Sequence, residues 1–314
     1  MKKTTNFTQL LMISLLFFGF SSCSDDDDAA QVIVNEPTTF EIIADSPDHE
    51  VLEQALIDNG LDEALNEGTY TVFAPTDDAF ESVDISGLSS EQLTNILLNH
   101  VVEGAAESAD LSNSYLETLA TESISGNENN LSLYVNVDAG VSLNGVSTVT
   151  DADKSASNGV VHVVDAIIPI PDLTTFATAD PNFENLELAL TRDDQPDFVA
   201  TLSATDSPAP FTVFAPTNAA FAQLLESTDF ETLADVPTDL LTEILNYHVI
   251  ADAYVSSSDL TSGEVSTLGG DITIDAENAT ITDANGRTIQ IEVTDVNTAN
   301  GVIHAIDMVI LPSL

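Results

Sequence analysis

The chain has 314 residues, 43% of them apolar, with 14 glycines and 12 prolines, a composition that supports folded cores and not a disordered or fibrous chain. It carries 53 acidic residues against 5 basic ones, a formal charge of −48, and Lys2 and Lys3 belong to a leader. Nucleic acid is therefore a poor partner, since phosphate binding needs clustered Lys and Arg; such charge gives solubility, and adaptation to salty or divalent-rich surroundings is the sharper expectation.

Residues 1–22 begin basic and continue in an apolar run from Leu10 to Phe20, too short to span a bilayer and suited to an export signal. Cys23 is the single cysteine, so it has no intrachain disulfide partner. Its position after "FSS" resembles a bacterial lipoprotein signal, whose lipobox ends in the cysteine that is lipidated after cleavage, although Phe20 stands where that pattern usually has leucine. "SDDDD" (24–28) resembles the acidic export signal that many Bacteroidetes place behind that cysteine. These resemblances imply an outer-membrane lipoprotein, anchored at Cys23 and exposed on the cell surface, or otherwise on the periplasmic face, with residues 23–36 as an acidic tether. Each acyl CH₂ buried in the bilayer adds about 0.8 kcal/mol to such an anchor.

"DHEVLEQALIDNGLDEALN" (48–66) spaces Val51, Leu52, Ala55 and Leu56 as a helical stripe, broken at Gly60 before a second short helical piece. "TYTVFAP" then turns to β-branched and aromatic residues, a strand stopped by Pro75. Thr76 is placed to cap a following helix, whose positive end suits Asp77 and Asp78. Ser89 and Gln92 have capping-box spacing and open a helix with Leu93, Ile96, Leu97 and His100 on its buried face. From Leu111 to Ile168, alternating segments such as "LSLYVNV" are punctuated by Gly and Asn turns, the mark of antiparallel strands. "GVVHVVDAIIP" (159–169) is apolar on both faces and so interior, admitted by a turn at Asn158-Gly159.

The chain then repeats itself. "YTVFAPTDDAF" (70–80) and "FTVFAPTNAAF" (211–221) share eight of eleven letters, "NGVVHVVDAII" (158–168) recurs as "NGVIHAIDMVI" (300–310), and "ILLNHVV" (96–102) as "ILNYHVI" (244–250). Offsets of 141, 142 and 148 residues describe one duplicated unit with a loop insertion, and each copy has a common domain size. Leu241, Ile244, Leu245 and His248 repeat the helical stripe; "ITID", "ATIT" and "TIQIEV" repeat the strands, with Asn285-Gly286 as a type I′ hairpin turn.

These letters resemble the two signatures of fasciclin (FAS1) domains. Phe73, Pro75 and Thr76, with Phe214, Pro216 and Thr217, stand in the first signature; Asn158, Gly159, His162 and Asp165, with Asn300, Gly301, His304 and Asp307, stand in the second. The resemblance covers residues 37–171 and 172–314 and implies two tandem α+β domains, each a β-sandwich or wedge with N-terminal helices packed against it. It also implies adhesion: a surface-anchored lipoprotein that binds extracellular matrix, polysaccharide or a cell-surface protein, touching the membrane through its lipid alone. Tyr247 and His248 match the tyrosine-histidine motif that some animal members use in adhesion; in the first copy Asn99 stands at the tyrosine position beside His100.

The paired histidines, His100 with His248 and His162 with His304, invite a metal-ligand or general-base reading. Their apolar neighbours favour satisfied core histidines instead. Asp165 and Asp307 follow a strand histidine by three residues, which puts them across the strand from it. No nucleophile elbow, Walker loop, H-E-x-x-H or C-x-x-C occurs, so no enzyme is expected. "DADKSASNG" (151–159) offers Asp151, Asp153 and Ser155 to calcium but has Ala156 and His162 where such a loop needs glycine and glutamate. No cofactor or metal site is expected, only weak divalent binding to the acidic surface. The alternative is an exported small-ligand carrier or hydrolase with a site between the domains. The signature residues themselves are expected to lock sheet to helix.

Overall fold

The computed structural model describes residues 36–85 and 87–313, so the leader, Cys23 and the acidic run lie outside the described residues. Residues Glu36–Leu314 form one compact unit. Its first half opens with helices α1 (Thr39–Ala44), α2 (Glu50–Asp58) and α3 (Asp62–Glu67). Thr38 starts α1 through a capping box: its hydroxyl accepts from Glu41 N–H, and the Glu41 carboxylate accepts from Thr38 N–H. In α2 the buried residues are Leu52, Ala55 and Leu56. Val51, expected on that stripe, is 37% exposed, because one helical step of 100° carries it off the packed face.

Strand β1 (Tyr70–Pro75) follows, then α4 (Asp77–Glu81), α5 (Ser90–Leu98) and the strands β2 (Val101–Glu103), β3 (Ser114–Thr121), β4 (Asn130–Asn136), β5 (Ser142–Leu143), β6 (Ser147–Ala156) and β7 (Gly159–Val164). Each pairs with the next, and β7 returns to pair with β1 in parallel, Tyr70↔Gly159 through Pro75↔Val164, so the ring closes. Strand β1 therefore buries both faces. Val72 and Ala74 pack with Ile43, Leu52, Phe80 and Val161 under the helices, while Phe73 packs with Leu133, Val135, Leu143 and Ile168 inside the sheet.

The second half repeats the order with α6 (Leu173–Ala179), α7 (Glu184–Leu190), α8 (Phe198–Leu202), β8 (Phe211–Pro216), α9 (Asn218–Glu226), α10 (Thr238–Tyr247), β9 (Val249–Ile250), β10 (Gly263–Ser266), β11 (Asp271–Asp275), β12 (Thr280–Thr282), β13 (Thr288–Thr298) and β14 (Gly301–Ile306). Its sheet runs β10-β11-β12-β13-β14-β8-β9, again with the first strand parallel to the last. It stays open between β9 and β10, where Leu268 N–H donates to the Val249 carbonyl at 2.8 Å. The architecture is α+β.

Four details differ from the sequence reading. Strand β7 ends at Val164, and Asp165 lies beyond it in a bend. The β6–β7 loop consists of Ser157 and Asn158, with Gly159 already paired to Ala156. The β12–β13 connection spans 283–287, since Thr282 pairs with Thr288; only Gly286 there has positive φ, so it is no type I′ turn, which needs two such residues. Residues 151–156 are strand, with Lys154 and Asp151 joined at 2.6 Å, and not a cation-binding loop.

Candidate functional site

Both copies of the first signature make the same corner. Thr76 and Thr217 cap α4 and α9 through Ala79 N–H and Ala220 N–H. The next residue reaches sideways: Asp77 accepts from Glu50 and Val51 N–H at the start of α2, and Asn218 accepts from Asn185 N–H in α7. Sequence reading gave Asp77 only its own helix. Phe73 and Phe214 are fully buried and lie 5.5 and 5.8 Å from the rings of His162 and His304.

The second signature is a staple. Asn158 accepts from Thr39 N–H at 2.8 Å and donates to the carbonyls of Leu65 and Gly68 at 2.6 and 2.9 Å. Asn300 does the same with Leu173 N–H (3.0 Å) and the carbonyls of Leu202 and Ala204 (2.6 and 3.0 Å). Gly159 and Gly301 must lack a side chain, for a Cβ there would fall 1.9 Å from the Tyr70 carbonyl oxygen and 2.3 Å from that of Phe211. Asp165 and Asp307 accept from Thr148 and Gln290 N–H at 2.7 Å and do not meet the histidines.

All four paired histidines spend both ring nitrogens on backbone. His100 Nδ1–H donates to the Ile96 carbonyl at 2.7 Å and Nε2 accepts from Ile168 N–H at 2.9 Å; His248 uses Ile244 and Ile310 at 2.8 and 3.0 Å. Each bridges the end of a helix to the segment behind the last strand. His162 Nδ1 accepts from Asp153 N–H and Nε2–H donates to Ala106, while His304 uses Asp295 and Val255. These bonds fix neutral tautomers. Burial lowers His100 and His248 to about 4, Arg287 adding to the effect on His248, and burial also lowers His304.

Tyr247 is 8% exposed and its ring lies against Gly269 and Gly270, where any Cβ would collide with it. Asn99, at the matching position, is fully buried and donates to the carbonyls of Ile168 and Pro169. An open groove of about 540 Å³ lies next to this segment, lined by Asn246 and Gly269 with carboxylates Asp239 and Glu243 and half-exposed Leu268; neither Tyr247 nor His248 lines it.

The two halves touch through β3 and β4 on one side and α6 and β13 on the other. Tyr115 O–H donates to buried Asp180 at 2.8 Å, its ring edge-on to Phe176 at 5.2 Å and 5.0 Å from the Tyr134 ring. Asn297 donates to Ser132 Oγ and to the Asn130 carbonyl, each at 2.9 Å, and accepts from Tyr254 O–H at 2.7 Å. Burial, followed by the Asp180 charge, raises the Tyr115 hydroxyl and pushes Tyr134 up to about 12. A cleft of about 540 Å³ opens beside this contact, lined by Tyr115, Tyr134, Asp180, Asn182 and Val293. The paired histidines do not line it. Among the described residues no group of three or more His, Cys, Asp or Glu is arranged to hold a metal ion, and no helix is long and apolar enough to cross a membrane.

The family profile described as "Fasciclin domain" matches residues 47–171 and 181–312. The chain belongs to the fasciclin domain family. Its fold is similar to that of a solved FAS1 domain pair from the insect cell adhesion molecule Fasciclin I, with a TM-score of 0.51 and 22% identity over 82% of this chain and 95% of that one. Human periostin is 32% identical over 270 residues, 80% of this chain but 29% of periostin. Protein sll1483 of Synechocystis sp. is 40% identical over 119 residues, 38% of this chain and 62% of that protein. The chain thus spans under two thirds of the length of either relative.

The fasciclin signatures carry the internal geometry, and the residues that join one fasciclin domain to the next lie outside them. Tyr115, Tyr134 and Asp180 were not singled out in the sequence. A signal existed: the first fasciclin domain has aromatic residues at outward strand positions that the second fills with polar ones.

Proposed function

We propose that this fasciclin pair is a surface-anchored binding protein, tethered through a lipid on Cys23 and holding cells to matrix, polysaccharide or other cells without catalysis. The observation that carries the reading is that the motif histidines, asparagines and aspartates are engaged in internal hydrogen bonds, which leaves the work to the outer surface. The likeness to a domain pair from an insect cell adhesion molecule supports it, and the acidic surface adds weak divalent-cation binding. Deleting the gene should reduce attachment to one defined matrix or glycan surface, and restoring the chain should recover it. A Cys23→Ser chain should lose labelled fatty acid and surface protease accessibility. Unchanged attachment across a glycan array and matrix panel would sink the adhesion reading.

The second reading, a small-ligand carrier, is favoured by the cleft beside Tyr115 and Asp180. It requires a saturable rise in melting temperature with a small solute, against none in the adhesion reading.

A further inference from the structure

The duplication allows the inner faces of the pair to be compared, position by position, with its outer faces. Strand register fixes the correspondence. Leu116 and Val265 point into the cores of their own domains, and the neighbouring positions pair as Tyr115↔Tyr134 and Glu264↔Thr273. Glu264 and Thr273 thus hold, on the second domain, the places of the two docking tyrosines. On the receiving side, Lys154↔Val161 and Val296↔Ile303 make Lys154 the counterpart of Val296, and Asp151 that of Val293. The staples from Asn158 to Thr39 and from Asn300 to Leu173 align α1 with α6, so Ile42, Asp45 and Ser46 answer Phe176, Ala179 and Asp180.

Where the domains meet, a phenol ring lies on a phenyl ring and its hydroxyl on a buried carboxylate. Where the pair ends, Glu264 stands in the place of the phenol, Ile42 in that of the phenyl ring and Ser46 in that of the carboxylate, with Asp45, Asp151, Lys154 and Asp271 beside them. A second copy docking in the same way would set exposed Glu264 and Asp271 against exposed Asp45 and Asp151, with Lys154 already held by Asp151. Neither partner of the Tyr115–Asp180 hydrogen bond would be present. Like charges at a desolvated contact repel, and repeat arrays end in modules with polar outer faces.

We infer that this chain is a terminated pair: the tyrosine face and its receiving face form a head-to-tail contact used once, inside the chain, and the equivalent outer faces are charged so that no second copy adds on. This goes beyond the adhesion reading and does not depend on it. Residues 36–314, one compact unit, supply the test. One variant carries Glu264→Tyr with Thr273→Tyr; the other carries Ile42→Phe, Asp45→Ala, Ser46→Asp, Asp151→Val and Lys154→Val. In sedimentation equilibrium the parent and each variant alone should keep the single-chain mass, and the mixture should double it. Association of the parent, or a single-chain mass for a mixture of two cooperatively melting variants, would overturn the inference. A second measurement does not rely on the receiving variant folding: Tyr115→Glu with Tyr134→Thr puts the outer residues in the inner contact. The domains should part, raising the radius of gyration in X-ray scattering at unchanged far-UV circular dichroism, and an unchanged radius overturns the inference.

Discussion

Acidification should destabilise each domain, chiefly through one fully buried histidine. His100 and His248 fall from an ordinary value of 6.5 to about 4 in the folded chain because burial disfavours their charged form. Above pH 6.5 both are neutral whether folded or unfolded and add no pH dependence. Between 6.5 and 4 the unfolded chain binds a proton that the folded chain refuses, so stability falls as pH falls, by about 1.4 kcal/mol per pH unit per histidine. From pH 6.5 to 5 each domain loses about 2 kcal/mol, a large part of a typical margin of about 5–15 kcal/mol. The geometry agrees, since a protonated Nε2 can no longer accept from Ile168 or Ile310 N–H. The carboxylates of so acidic a chain relax their mutual repulsion over the same range and work in the opposite direction. The measurement is therefore a difference: urea unfolding at several pH values for the parent and for His100→Asn and His248→Asn. The parent slope should exceed each variant slope by roughly 1 kcal/mol per pH unit in the affected domain. Equal slopes would refute the buried neutral histidine.

Asn300→Ala should cost more than Asn158→Ala, about 3–5 against about 2–3 kcal/mol by urea unfolding, because Asn158 loses three hydrogen bonds while Asn300 loses those three counterparts and one from the Thr298 hydroxyl, and only Asn300 is fully buried; equal losses would contradict the staple geometry. Phe73→Ala should cost about 3–5 kcal/mol, and a variant that melts like the parent would remove Phe73 from the core. Raising salt from low to physiological strength should raise the melting temperature by screening the acidic surface, and a flat response would show that self-repulsion is unimportant.

Much of the fold was legible because its determinants are local. The Ser89–Gln92 capping box and the Thr76 cap are short-range hydrogen bonds between fixed residue types, and they occur where the spacing put them. Strand β7 read as interior because its valines leave no polar face. The ends of elements were less legible: Val51 left its stripe, and the loop at 283–287 took five residues, with Asp283 binding Arg287 across it. Neither outcome is decided within a few residues. The contact between the domains was illegible in one copy alone, since Tyr115 and Tyr134 are ordinary strand residues until the second domain arrives. The buried histidines were read as core residues, but their particular carbonyl and N–H partners come from segments 49 to 68 residues away in four of the eight bonds, from nine residues away in two and from the preceding helical turn in two.

The parallel pairing of β1 with β7 has a mechanical consequence. The chain comes into the first domain beside the start of β7, where Ser157 N–H donates to the Pro37 carbonyl, and leaves it past the far end of that strand, roughly 20 Å on. Traction between the two ends thus runs along β7 itself, flanked by β1 and β6. Those ladders are loaded in shear, many bonds at once, instead of being unzipped one rung at a time, and β14 between β8 and β13 gives the second domain the same resistance.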